Sequence, residues 1–250
     1  MKIALLGDVH ANLPALLAVL EHARSQEVSA LWNIGDFLGY GAFPNEVIHA
    51  LRTAGAVSIL GNYDVKVLIF PEKERKWRIS KRAEKVLAFE WAYHNLSPEN
   101  RLYLQTLPRQ RRMQVAGWRI LLTHASPDSD EEHLTPETPV DRLTQLAHLA
   151  ATDIIVCGHS HRPFARWVEN TLFINTGSVG RPDDGDPRAS YAILHVEPQA
   201  VHVQHYRLEY DLASAVAGLR RQGLPEAFAQ MILQGVDLDT ILRESRKQSQ

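Results

Sequence analysis

The stretch KIALLGDVH, residues 2–10, is an apolar run that breaks into Gly7-Asp8-Val9-His10. Residues 2–6 read as a short buried strand. A helix over roughly 12–24, with Leu13, Leu16, Leu17 and Leu20 as its apolar positions, completes a strand–loop–helix unit. Such units place functional loops at the carboxyl end of the strand. The pattern recurs: residues 28–34 read as a strand ending in the Gly-rich turn 35–41, followed by a helix near 44–53 that Pro44 starts. Residues 56–60 form a third strand, ended by Gly61-Asn62-Tyr63-Asp64. From 65 to 107 the sequence predicts a helical insertion or cap, with a basic amphipathic tract at 72–82 and helices over 82–94 and 98–106. Strands return at 111–116, 118–123, 153–157, 164–168, 171–174, 190–196 and 201–207, with tight hairpins at Ala116-Gly117 and Glu169-Asn170. Crossover units first and hairpins later imply an α/β chain with two mostly buried sheets and helices outside. Residues 211–240 read as two short helices separated near Gly223 and Pro225, and the charged sequence after about 241 as frayed.

The 250 residues, 45% of them hydrophobic, can supply the core of one fairly large domain or two small ones, which excludes collagen-like, mucin-like and wholly disordered chains. Lys and Arg number 27 against 29 Asp and Glu, a formal charge of −2 that gives no global support to a nucleic-acid binder. The lone Cys157 cannot form an internal disulfide. The N-terminal apolar run is too short for a signal peptide and has no cleavage site, and no run approaches the ~20 residues of a membrane span. A soluble, cytoplasmic protein is therefore expected.

The polar residues at the strand ends form one set: Asp8 and His10, Asp36, Asn62 and Asp64, His124, then His159 and His161. Setting Asp64 aside, two carboxylates, four imidazoles and one amide suit divalent Mn, Fe, Co, Ni or Zn, and none is a thiolate. Seven donors are too many for one tetrahedral ion. They fit two five- or six-coordinate ions ~3.5–4 Å apart that share a carboxylate and a water. Each residue alone has a structural alternative: Asp8 as a turn or cap, Asn62 as a turn signal, His124 as a semi-buried histidine. The order across five strand ends favours the metal reading. His22, His49, His94, His133, His148, His195, His202 and His205 lack such partners and read as structural or surface residues.

This ordered set resembles that of the calcineurin-like metallophosphoesterases, in particular their small bacterial and archaeal phosphodiesterase branch, over roughly residues 1–207. Gly177-Ser178-Val179-Gly180, between Ile174-Asn175-Thr176 and Arg181-Pro182, resembles a segment typical of that branch. The resemblance implies a four-layer αββα sandwich of two mixed sheets flanked by helices. A metallophosphoesterase domain would cover 1–210, including the 65–107 insertion, with a C-terminal helical extension, 211–250, packed on it. Asp8, His10, Asp36 and His161 would hold the first metal; Asp36, Asn62, His124 and His159 would hold the second, with Asp36 bridging. The two ions would be Mn2+ or Fe2+, with Ni2+, Co2+ or Zn2+ as alternatives. The implied function is a binuclear phosphodiesterase in which a metal-bridging hydroxide attacks phosphorus in line, while Asn62 and His124 steady the equatorial oxygens. The alternatives are a phosphomonoesterase or phosphoprotein phosphatase, a dinucleoside-polyphosphate hydrolase, and a non-enzymatic metal-binding scaffold.

Tyr63 departs from the family pattern, since many members place a leaving-group-protonating His there. A phenol with a reference pKa near 10 is a poorer donor than imidazolium, which points to diesters or activated leaving groups. Asp64 either orients a histidine or water near the metals or caps the following helix. The acidic loop Asp128-Ser129-Asp130-Glu131-Glu132 should disfavour long polyanions. Against it stand Arg181, Arg188 and the tract with Lys73, Arg75, Lys76, Arg78, Lys81 and Arg82, read by default as a solvated face. Were that tract folded over the site, it would hold a nucleotide phosphate, with Trp77 or Tyr40 stacking on a base. Arg181, directly after the family-like segment, is the best substrate-binding candidate. The expected partner is a small phosphate ester, nucleotides included, with no membrane role. Cys157 reads as a buried, non-catalytic thiol, and Ser160 lacks a nucleophile elbow.

Overall fold

In the computed structural model, residues 1–248 are described. The chain runs through β1 (Lys2–Leu6), α1 (Leu13–Ser25), β2 (Ala30–Asn33), α2 (Pro44–Thr53) and β3 (Val57–Ser58). Four helices follow: α3 (Asn62–Leu68), α4 (Phe70–Ser80), α5 (Ala83–Asn95) and α6 (Pro98–Thr106). Then come β4 (Gln110–Val115), β5 (Trp118–Thr123), α7 (Val140–Ala150), β6 (Ile154–Cys157), β7 (Phe164–Val168) and β8 (Thr171–Asn175). The last elements are β9 (Ala189–Glu197), β10 (Ala200–Leu208), α8 (Leu212–Arg221), α9 (Glu226–Gln234) and α10 (Leu238–Gln248).

Two five-stranded mixed sheets result, ordered β10-β9-β1-β2-β3 and β4-β5-β6-β8-β7. Because side chains alternate along a strand, β1 serves two cores. Ile3 and Leu5 join Trp32 and Ile34 in the inter-sheet core with Ile120, Leu122, Ile154, Val156 and Ile174. Ala4 and Leu6 face the other way, into the layer formed with Leu16 and Val19 of α1 and Val47 and Leu51 of α2. On the outer face of the second sheet, Leu121, Ile155 and Phe173 pack against Leu143 and Leu146 of α7. The order helix, sheet, sheet, helix is the expected αββα sandwich. Each large apolar side chain of these layers contributes roughly 1.5–3 kcal/mol on full burial.

Three expectations need correction. The third strand shrinks from 56–60 to Val57–Ser58, because Leu60 N–H leaves the sheet and donates to Pro108 O (2.9 Å). α7 was not anticipated, although Leu143, Leu146, Ala147 and Ala150 repeat with helical spacing. Residues after 241 do not fray through 248: α10 continues there, with Leu238 and Ile241 buried against the other C-terminal helices. The remainder of that expected frayed tail, 249–250, lies outside the described residues. Phe228 and Met231 of α9 join Tyr40, Ala42 and Ala88, so the C-terminal helices pack on the loop after β2 and on α5.

Candidate metal centre

The carboxyl ends of β1, β2, β3, β5 and β6 converge, and the expected ligands stand on the loops that leave them, except Asn62, which opens α3. The loops are stitched together by Asp8 N–H to Gly35 O (3.0 Å), His10 N–H to Asp36 O (2.9 Å) and Gly158 N–H to His124 O (2.9 Å). Asp8, His10, Asp36, His159 and His161 all have left-handed backbones, φ 47–63°. That conformation is costly for residues with a Cβ and gathers at functional sites. Gly61 permits a close approach: a Cβ there would lie 2.7 Å from Asp36 Cγ and overlap the Asp36 backbone N.

The ligand atoms face one another. His161 Nε2 is 3.2 Å from both His10 Nε2 and Asp8 Oδ1. Asp36 Oδ2 lies between two imidazoles, 3.7 Å from His10 Nε2 and 3.5 Å from His124 Nε2. His124 Nε2 is 3.2 Å from Asn62 Oδ1. Asp8, His10 and His161 thus form one group able to hold an ion, and Asp8, Asp36 and His124 another, with Asp8 in both. Backbone carbonyls fix the rings: Nδ1 of His10 faces Leu38 O (3.1 Å) and Nδ1 of His124 faces Ile34 O (3.0 Å), which turns each Nε2 inward. His159 stacks edge-on to His124, and its buried Nε2 has no hydrogen-bond partner.

This donor set fits divalent cations. With Nδ1 donating to Ile34 O, His124 Nε2 and Asn62 Oδ1 oppose each other as two acceptors, a repulsive contact that a shared cation relieves. Burial works against the Asp8 charge, yet His161, with His124 and His10, holds its carboxyl well below the usual range. Burial, followed by the Asp8 charge, pushes Asp36 up to about 8. Burial, then His124, draws His159 down to about 2, leaving the neutral imidazole that metals bind. Two buried carboxylates this close need cationic compensation to ionise together. Two divalent-metal sites of His and Asp are therefore present.

Residues 1–199 match the family model described as the calcineurin-like phosphoesterase superfamily domain. The chain belongs to that superfamily. It is 32% identical over 250 aligned positions to uncharacterized protein MJ0912 of Methanocaldococcus jannaschii, covering 93% of this chain and 98% of the relative. A metallophosphoesterase from Sphaerobacter thermophilus, of known crystal structure, is 31% identical with a TM-score of 0.76, over 94% of this chain and 100% of that one. Phosphodiesterase YfcE of Escherichia coli is 27% identical over 194 positions, 78% of this chain and 87% of the relative. The metal-binding architecture and the calcineurin-like fold make the chain a metal-dependent phosphoric ester hydrolase.

Of the two roles expected for Asp64 beside this calcineurin-like centre, the geometry shows the cap. Its carboxylate accepts from Gly61 N–H (3.0 Å) and Leu38 N–H (3.1 Å), closing the start of α3 and tying it to the loop after β2. Tyr63 donates its backbone N–H to Asp36 Oδ1 (2.8 Å), sets its ring edge-on to His10, and shares a hydroxyl hydrogen bond with Tyr40 (2.8 Å). Burial, then Tyr40, pushes the Tyr63 phenol well above its ordinary value. Arg181 lies over the Tyr40 ring, 4.9 Å from its centroid, with a guanidinium nitrogen 3.3 Å from His161 Nδ1.

A cleft of about 600 Å³ opens from Asp36, Asn62, His159 and His161. Lys66, Lys81, Lys85 and Phe89 of the insertion line it, with Asp237, Leu238 and Asp239 from the C-terminal segment. The acidic loop is not a free negative rim: Arg142 pairs with Asp128 (2.9 Å) and Glu132 (2.8 Å), Lys66 with Glu131 (2.7 Å), and Arg109 with Asp130. Trp77 is no base platform either, being buried against Phe89 and Phe70. Lys73, Arg75, Lys76 and Arg78 lie outside the cleft, as expected of a solvated face, whereas Lys81 reaches it. Arg188 pairs with Asp186 (2.7 Å) elsewhere. Cys157 is fully buried, and burial pushes its thiol up. Sequence reasoning missed two neighbours: His133, whose ring meets His159 edge-on at 4.6 Å, and Asp183, 3.5 Å from His161 Nδ1. Neither sits directly at a strand end, the signal that found the others.

Proposed function

We propose that the chain is a phosphodiesterase acting on small esters, nucleotides included. Asp8, His10, Asp36 and His161 would hold one divalent ion and Asp36, Asn62, His124 and His159 the other, with Mn2+ or Fe2+ the first candidates. Ions bound there would polarise phosphoryl oxygens and lower the pKa of water toward neutrality. Arg181 offers a charge-assisted fork to the phosphoryl group at the metal end of the cleft. Tyr63 donates a hydrogen bond but retains its proton. The observation that carries the diester reading is the Tyr63–Tyr40 hydroxyl pair where an imidazole acid would stand. Similarity to a protein named as a phosphodiesterase supports the same reading.

The test strips the protein with chelator and restores Mn2+, Fe2+, Co2+, Ni2+, Zn2+ or Mg2+ singly. Bis(4-nitrophenyl) phosphate and 4-nitrophenyl phosphate are then assayed beside Asp36→Asn. Two metals per chain, diester preference and an inactive variant are expected. Monoester preference would defeat the diester assignment, and stoichiometric metal without hydrolysis of a wider ester panel would favour a scaffold.

A further inference from the structure

The geometry points to a second anion subsite at the far end of the cleft, built on Lys81 with Lys66 and Lys85, that selects phosphate esters carrying a second phosphoryl group. This rests on the hydrolase reading above and specifies its substrate class.

The cleft contains both signs of charge, but most are already paired. Lys66 pairs with Glu131 (2.7 Å), Lys85 with Asp239 (3.3 Å), and Arg162 with Glu137 (3.4 Å). Asp183 faces His161, and Asp237 caps α10 through Thr240 N–H (3.0 Å) and its hydroxyl (2.8 Å). Among the described residues, Arg181 and Lys81 are the cleft cations with no carboxylate at ion-pair distance. Arg181 and Lys66, the latter a charged neighbour of Lys81, flank the tyrosine pair: Arg181 covers Tyr40, Tyr40 bonds Tyr63, and Lys66 lies 5.2 Å from the Tyr63 ring centroid. Lys81 is set 5.7 Å from the Trp77 ring centroid; partial burial, then the charge of Lys66, disfavours its ammonium form, while the Glu131 carboxylate favours it. Glu131 and Asp239 neutralise Lys66 and Lys85, whereas the third ammonium group, Lys81, has no ion pair of its own among the described residues and can take an incoming anion. One phosphoryl group at Arg181 and the metal ligands leaves Lys81 free for another. The aromatic floor of Tyr40, Tyr63 and Phe89 separates the two ends.

The test compares thymidine 5′-(4-nitrophenyl phosphate) with the same ester bearing a 3′-phosphate. The wild-type protein should favour the 3′-phosphorylated ester by about tenfold in kcat/KM, the scale of one charge-assisted contact. Lys81→Met should bring that ratio near one, and Lys81→Arg should retain most of it. Calorimetry on chelator-treated protein adds a readout independent of turnover. Thymidine 3′,5′-bisphosphate should bind more tightly than thymidine 5′-monophosphate, and Lys81→Met should remove the difference. A wild-type ratio near one, or an unchanged ratio in Lys81→Met, would overturn the subsite. Absence of hydrolysis with every metal would overturn the hydrolase reading instead, and calorimetry would still decide the subsite.

Discussion

Gly61→Ala tests the claim that close backbone approach builds the metal centre. The added Cβ would lie 2.7 Å from Asp36 Cγ, where ordinary contact begins at 3.4 Å, and would also overlap the Asp36 backbone N. Asp36 therefore has to retreat by roughly 1 Å, a displacement that can cost about 100-fold in rate when it misplaces a catalytic group. Overpacking of this kind costs about 1–3 kcal/mol, and each kcal/mol moves Tm by roughly 2–4 °C in a chain of this size. Gly117→Ala is the control, because its φ of +91° strains alanine while no neighbour lies within 4 Å. Thermal denaturation and diester turnover under metal titration should show both variants less stable and only Gly61→Ala inactive. If Gly61→Ala retained turnover within about threefold of wild type, the steric reasoning would be refuted.

In metal-free protein, Asp36 binds a proton when folded up to about pH 8, whereas its ordinary pKa is 3.8. The contribution of Asp36 to stability should thus fall as pH rises from about 4 to about 8, read as the wild-type minus Asp36→Asn difference in urea midpoint in chelator, and saturating metal should flatten it. A difference that ignores pH would contradict this. Arg181→Met should lower kcat/KM about tenfold or more, mainly through KM, as expected for a lost charged hydrogen bond; unchanged kinetics would remove Arg181 from substrate binding. Tyr63→His should raise the monoester-to-diester ratio of kcat/KM about tenfold or more, within the usual range of general acid catalysis. An unchanged ratio would end the argument from that position.

The gathering of these polar side chains was legible because each closes an apolar strand and is carried to the same sheet edge. The two sheets were legible too, since crossover units and tight hairpins leave distinct apolar runs, and β1 is buried on both faces by Ile3 and Leu5 on one side and Ala4 and Leu6 on the other. What escaped depended on partners distant in sequence. The acidity of residues 128–132 looked free because Arg109, Arg142 and Lys66 lie on other elements. α10 looked frayed because few of its residues are apolar; Asp239 is held by Arg82 (2.6 Å) and Lys85 across the cleft. α7 was different: its helical spacing stands in the sequence, but it follows directly on the acidic, Pro-containing stretch that reads as loop.

The left-handed backbone at Asp8, His10, Asp36, His159 and His161 bears on how such a protein changes over generations. Strain of this kind costs roughly 1–3 kcal/mol per residue, and glycine relieves it. Replacing a ligand by glycine therefore removes chemistry while easing the backbone. Drift toward a catalytically silent, sturdier descendant runs downhill in folding free energy, and selection for turnover is what opposes it.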